Sequence, residues 1–129
     1  MAGHPPLIPW KVVVLDTKCL FCKIIQRTIP STIIQENEHV LVIQDIAPKA
    51  PIHYLILPKK HTENLTTLEV TDERYTNAML TMAQKLGNAL PSKAFNIVIN
   101  NGAAAGQSVF HLHMHFLAGK NLFQSELGL

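Results

Sequence analysis

Apolar positions along the chain recur every second residue, then every third or fourth, then every second again, and this change of period divides the sequence into elements. Over residues 71–90 the apolar positions Tyr75, Met79, Met82, Leu86 and Leu90 follow one another at intervals of four, three, four and four, the single stripe of an amphipathic helix. Thr71 is the expected N-cap, Asp72 and Glu73 suit the positive end of the helix, and Pro91 is the expected stop. Upstream, "HVLVIQDI" (39–46) and "IHYLILP" (52–58) read as strands, and the short turn "APKAP" between them makes an antiparallel hairpin. Downstream, "FNIVIN" (95–100) and "SVFHLHMHFLAG" (108–119) read as two further strands around the loop "NGAAAGQ". A short helical turn in "LFCKIIQRTIP" should end by Pro30, because a residue before proline avoids the helical region. Hairpin, long helix, hairpin is the order of a mixed antiparallel α+β domain.

Composition narrows the class without changing that picture. A chain of 129 residues, 47% hydrophobic and 16% charged, fits one folded domain with its own core. A net charge of +2 with no lysine or arginine block argues against a nucleic-acid or membrane surface, and leaves a local anion pocket open. Runs such as "KVVVL" and "FNIVI" fall far short of the roughly 18 apolar residues of a membrane helix. The opening residues, with prolines at 5, 6 and 9 and no long apolar core, are not expected to act as a signal peptide, so a cytoplasmic location is expected. In that setting Cys19 and Cys22 of "CLFC" are thiols or metal ligands rather than a structural disulfide.

The unusual feature is "HLHMHFLAG" (111–119), which sets His111, His113 and His115 at every second position among large apolar residues. On a strand the imidazoles share one face and Leu112, Met114 and Phe116 the other, with successive rings roughly 6.6 Å apart. Three readings compete: half-exposed or hydrogen-bonded histidines, a metal site, and catalysis on an anion. Burying three imidazoles is costly without partners, and ligands at i, i+2 and i+4 on one flat strand diverge from a single tetrahedral ion. The preceding "NNGAAAGQS" favours the anion, since Asn100, Gln107 and Ser108 carry donors and Gly102 and Gly106 permit backbone conformations that cradle phosphate oxygens.

At these residues the sequence resembles the histidine triad (HIT) superfamily, whose signature of alternating histidines and apolar residues is matched by "HLHMHFL". The resemblance extends over roughly residues 19–119, through "CLFCKIIQRTIPS", "VLVIQDIAPKAPIHYLILPKKH" and "NNGAAAGQSVFHLHMHFLAG". "GQSV" and the short chain look most like the Hint branch, the histidine triad nucleotide-binding proteins. The resemblance implies an α+β HIT-like fold, an antiparallel sheet of about five strands with one long helix and a short N-terminal helix. It also implies a purine nucleoside phosphoramidase-like hydrolase that works on the α-phosphate of nucleoside 5'-phosphoramidates of the AMP-amine or AMP-lysine type. The alternatives are a dinucleoside polyphosphate hydrolase and a nucleotide-binding regulatory protein with little turnover.

By position in the signature, His113 would attack the α-phosphorus to form a nucleotidyl-histidine that water then hydrolyses. His111, His115, His53 and Ser108 complete the implied catalytic set, with Ser108 and His115 the candidates to protonate the leaving group and His53 ordering them. Asp45 corresponds to the acid that holds the ribose hydroxyls. Leu20, Phe21, Ile24, Ile43 and Ile46 would form the slot for the base, and Asn100, Gly106, Gln107, Ser108 and His115 would hold the phosphate. Ile43 stands where an aromatic is common, Ala105 replaces a frequent glycine, and the tail "KNLFQSELGL" lacks a tryptophan and proline ending.

No cofactor is expected to take part in catalysis. Some family members complete a structural zinc with residues that here are Cys19, Cys22, His61 and His111, and bound zinc and free thiols are the two readings of the cysteine pair. The implied partners are an AMP-like purine nucleotide and a second copy of the chain in a homodimer, with no nucleic acid and no membrane. The expected divisions are an N-terminal arm at 1–17, the HIT domain at 18–120 and a C-terminal tail at 121–129.

Overall fold

The computed structural model describes residues 18–122; the expected arm and all but the first two residues of the expected tail lie outside them. Five strands form one antiparallel sheet: β1 (Ile33–Glu36), β2 (Val40–Gln44), β3 (Ile52–Pro58), β4 (Asn96–Val98) and β5 (Met114–Ala118), in the order β1-β2-β3-β5-β4. Helix α1 (Leu20–Ile25) precedes the sheet, and the long helix α2 (Glu73–Asn88) joins β3 to the β4–β5 pair. This is the expected mixed α+β architecture, with one long helix.

Alternation sends side chains to two separate cores. Val40, Val42, Ile56, Leu112, Met114 and Phe116 pack beneath Met79, Met82 and Ala83 of α2, with Leu86 and Leu90 at the margin. Leu41, Ile43, Leu55 and Leu57 point to the opposite face and meet Phe21 and Ile24 of α1. The face under α1 is only partly covered, and this incomplete cover positions the site.

Several boundaries differ from the sequence reading. Strand β1 was not expected; it is a half-exposed edge strand whose pairing with β2 is broken by a register shift between Ile33 and Gln35. Thr71 does not cap α2. It lies within a 3-10 turn, Val70–Asp72, and the cap residue is the buried Asp72, whose carboxylate is satisfied by the Glu69 amide at 2.9 Å and by Lys60 instead of by the helix. Helix α1 does end before Pro30, as expected, stopping at Ile25, and the chain leaves it through Arg27 at φ 66°. Its first turn is capped by the Cys19 sulfur, which accepts from the Cys22 amide at 3.4 Å.

The expected strand 108–119 shortens to Met114–Ala118. The β3–β5 ladder runs from Ile52↔Ala118 to Ile56↔Met114, and continuing it would place Pro58, which has no N–H to donate, opposite Leu112. The Leu112 amide instead donates to the Thr62 carbonyl at 2.8 Å.

Candidate active site

His113 and His115 stand on the face of the sheet opposite α2, at and just before the start of β5, and both line a cleft of about 1080 Å³. The alternation that buries Leu112, Met114 and Phe116 under α2 turns these two rings the other way. Their centroids are 5.2 Å apart, and Phe21 of α1 stands edge-on to His113 at 5.0 Å. The Nδ1–H of His113 donates to the carbonyl of His111 at 2.7 Å, which leaves Nε2 with a bare lone pair in the neutral ring.

A second chain of hydrogen bonds sets the tautomer of His115. The Lys49 backbone N–H donates to Nδ1 of the buried His53 at 3.0 Å, so neutral His53 carries its proton on Nε2. That nitrogen lies 2.9 Å from Nδ1 of His115 and 3.4 Å from Oδ2 of Asp45. Donation to the nearer partner leaves the His115 proton on Nε2. The cleft therefore holds one imidazole with a lone pair and a neighbour with a proton to give.

Electrostatics keep both rings neutral at physiological pH. Burial holds the pKa of His113 below its ordinary value, against the opposing pull of the His111 carbonyl and Asp45. His115 is pushed down to about 4 by burial and by the neighbouring His113 and His53 rings. Burial also lowers His53, against the pull of Asp45.

His111 is placed differently from the expectation that all three triad histidines share one catalytic face. It is fully buried and lines no part of the cleft. Its Nε2–H donates to the Pro58 carbonyl at 2.9 Å, and its Nδ1 lies 3.5 Å from the sulfurs of both Cys19 and Cys22 and 3.2 Å from Nδ1 of His61. The Cys22 sulfur is 3.3 Å from the same His61 nitrogen. The four possible ligand atoms all fall within 4.8 Å of one another.

Leu20, Phe21, Ile24, Ile43, Asp45 and Ile46 all line the cleft. Ile46 is 97% exposed, an apolar side chain left at the lip with nothing packed on it. Asp45 accepts from the Ala47 amide at 2.7 Å through Oδ1. Asn100, Gly106 and Ser108 line the opposite wall. Gly106, at φ 96°, sits in the left-handed region that favours glycine. Gln107 does not face the cleft as expected. Its amide group is spent on the loop itself, donating to Glu63 and Val109 carbonyls at 2.8 and 3.1 Å and accepting from the Gly102 amide at 2.8 Å.

This architecture has known counterparts. The HIT domain pattern matches residues 26–122. An uncharacterised HIT-like protein of Synechocystis is 40% identical over 102 residues, 78% of this chain and 90% of that one. The chain belongs to the HIT family. A HIT family hydrolase from Clostridium thermocellum superposes with a TM-score of 0.78 at 40% identity, over 83% of this chain and 95% of that one. A histidine triad nucleotide-binding protein from Candida albicans does so with a TM-score of 0.72 at 33% identity, over 80% of this chain and 76% of that one.

In this HIT protein several contributors to the site carry no signal in the sequence, Gln44, Pro48 and Val109 of the cleft lining among them. The Lys49 amide fixes the His53 tautomer, which no side-chain pattern announces. Leu55 lines the cleft, and its position two residues after His53 on a strand could have revealed it. The segment 29–32 also lines the cleft, and nothing in its residue types marks it as part of a site. Among the described residues, no helix is long and apolar enough to cross a membrane.

Proposed function

We propose that the protein is a nucleotide hydrolase that cleaves purine nucleoside 5'-phosphoramidates through a nucleotidyl intermediate on His113. The observation that carries this reading is the His113 Nδ1–H bond to the His111 carbonyl, which presents an unprotonated Nε2 in the cleft. That nitrogen attacks the α-phosphorus without first losing a proton, forming a P–N bond as the bond to the leaving group breaks. The departing nitrogen takes the Nε2 proton of His115, which His53 holds in place from behind. Ser108 and the second Nδ2–H of Asn100, whose first donates to the Ala105 carbonyl at 2.9 Å, supply donors for the charge on the non-bridging oxygens, the N–H groups of Ala105, Gly106 and Gln107 being used within the loop itself. Water then attacks the phosphorus and returns a proton to Nε2 of His115 as the P–N bond breaks, which releases the nucleoside monophosphate and leaves His113 neutral with Nε2 bare. The apolar lip and the Asp45 carboxylate suit a base and a ribose diol. Naming of HIT neighbours as hydrolases and as a nucleotide-binding protein agrees with this reading.

The buried cluster fits structural zinc. A tetrahedral zinc spaces sulfur from nitrogen by about 3.5 Å and nitrogen from nitrogen by about 3.3 Å, and the sulfur–nitrogen contacts of 3.3 to 3.5 Å and the nitrogen pair at 3.2 Å match. The Pro58 carbonyl holds the His111 proton on Nε2 and turns Nδ1 toward the cysteines, as an outer partner of a metal ligand does. Cys19, Cys22, His61 and His111 would hold the ion, which would tie α1 to the ends of β3 and β5 without entering the reaction.

We also propose a two-fold dimer. Strand β4 is a sheet edge that leaves Ile97 39% and the adjoining Phe95 36% exposed, and Leu80 of α2 is 54% exposed. Sedimentation at low micromolar concentration tests the dimer. The function is tested by turnover of an adenosine phosphoramidate of tryptamine: release of AMP by the protein and none by His113→Ala supports it, and binding without turnover makes the protein a nucleotide binder.

A further inference from the structure

His53 holds a single ring N–H between two acceptors. Just past the Gln44↔Tyr54 pair of β2 and β3, the Asp45 amide donates to the His53 carbonyl at 3.0 Å, which sets the Asp45 side chain beside His53. Leu55 is paired with His115, so His53, two residues earlier on the same face of β3, meets that ring on the diagonal. Among the described residues, Nε2 of His53 therefore faces Nδ1 of His115 at 2.9 Å and Oδ2 of Asp45 at 3.4 Å. The nearer acceptor is neutral and the farther one is charged. A hydrogen bond to a carboxylate is roughly twice as strong as a neutral one, so the two compete for the same proton. His53 has no second N–H to offer, because its Nδ1 accepts from the Lys49 amide. Asp45 is constrained as well: the Ala47 amide holds Oδ1 at 2.7 Å, and the side chain, 16% exposed, lines the cleft where a ribose would lie.

We infer that Asp45 couples recognition of the ribose to the readiness of His115 to give up its proton. The inference rests on the hydrolase reading for the use of that proton, and on the hydrogen bonds alone for the coupling. Before a nucleotide binds, Oδ2 of Asp45 draws on the His53 N–H, and the His115 tautomer with its proton on Nδ1 gains population, the proton passing between the two ring nitrogens through water. A ribose whose 2'- and 3'-hydroxyls donate to Asp45 occupies the lone pairs of the carboxylate. The His53 N–H then goes wholly to Nδ1 of His115, which confines the His115 proton to Nε2, the nitrogen from which a leaving group would take it. A sugar without those hydroxyls leaves Oδ2 in competition. The ribose, remote from the bond that breaks, thereby bears on kcat as well as on affinity. The Asp45 charge is felt at both rings: burial lowers the pKa of His53 and of His115, and Asp45 opposes that fall in each.

The first test reads the tautomer itself, by nitrogen-15 NMR of the imidazoles in wild-type protein saturated with AMP or with its 2',3'-dideoxy analogue, which share a phosphate and differ only in the two hydroxyls. AMP is expected to move the Nδ1 signal of His115 to the unprotonated limit, and the dideoxy nucleotide to leave it short of that limit. Asp45→Asn, which keeps a carbonyl for the Ala47 amide and turns an NH2 toward His53, is expected to reach the limit with no nucleotide bound. A signal already at the limit in free wild-type protein, or one that both nucleotides move alike, overturns the inference. The second test is kinetic. The adenosine phosphoramidate of tryptamine is expected to exceed its 2',3'-dideoxy analogue in kcat by roughly tenfold, the loss that goes with an unfixed His115 tautomer. That ratio should fall to about one in Asp45→Asn, and also with the p-nitrophenyl esters of the two nucleotides, whose leaving group needs no proton. Equal ratios for the amide and the ester reduce the hydroxyls to binding contacts and overturn the inference. If wild-type protein hydrolyses none of these compounds, the phosphoramidase reading fails, and the NMR comparison still decides the coupling.

Discussion

The Nδ1 of His113 lies 2.7 Å from the carbonyl oxygen of His111, while the imidazole of His111 itself points into the cysteine cluster. One residue thus serves two neighbouring sites, its backbone fixing which nitrogen of His113 is bare and its side chain joining Cys19, Cys22 and His61. Protein purified without chelator is expected to carry about one zinc per chain by mass spectrometry. Cys22→Ser should lose most of that metal and lower the melting temperature by several degrees. Metal-free wild-type protein with an unchanged melting temperature would refute the zinc.

Replacing His115 by alanine removes the proposed proton donor and should lower kcat on the order of a hundredfold or more. His53→Ala leaves His115 in place without its tautomer fixed, so a smaller loss of about tenfold is expected. A leaving group that needs no proton should rescue both variants, and steady-state kinetics with matched amine and p-nitrophenol esters would read that rescue. Equal losses on both substrates would show that the two histidines do not act on the leaving group.

Acid should destabilise the fold through the same rings. His53, His113 and His115 all titrate below the ordinary 6.5, with His115 near 4, because burial disfavours their charged forms. Between those values the unfolded chain binds protons that the folded chain refuses. Stability from this source is therefore complete above about pH 6.5 and is lost as pH falls toward 4. Urea midpoints taken across that range should decline on acidification, and His115→Gln should flatten the slope. An unchanged slope in that variant would remove His115 from the account.

Gly87 faces the ring of Phe95, and a Cβ added there would lie 2.2 Å from Cε1 of that ring. Phe95 is itself stacked on Phe116 at 4.8 Å, so it has little freedom to retreat. Gly87→Ala should cost about 1–2 kcal/mol despite its better helix propensity, and Phe95→Leu should recover part of that loss. Chemical denaturation of the single and double variants measures both.

What could be read in the sequence follows from how local its cause is. The helix stripe from Met79 to Leu90 and the alternation of Leu112, Met114 and Phe116 are set by one element's own periodicity, and both packed as expected. Strand β1 was missed because its residues are half-exposed and carry no alternation. The end of β5 was misjudged because it depends on Pro58, far away in the chain and unable to donate. Gln107 looked like a ligand-facing donor because its type suits one; only the folded loop reveals that its amide is consumed by Glu63, Val109 and Gly102. The cysteine spacing announced half of the cluster proposed to hold zinc. Its other half, His61 and His111, came from likeness to a family rather than from any spacing rule.

The most direct measurement is capture of the intermediate. Wild-type protein mixed with an adenosine phosphoramidate and quenched in alkaline denaturant should show the mass gain of one nucleotidyl group on the peptide containing His113, and His113→Ala should show neither the gain nor turnover. A nucleotidyl group on any other residue, or AMP release undiminished in His113→Ala, would contradict the account.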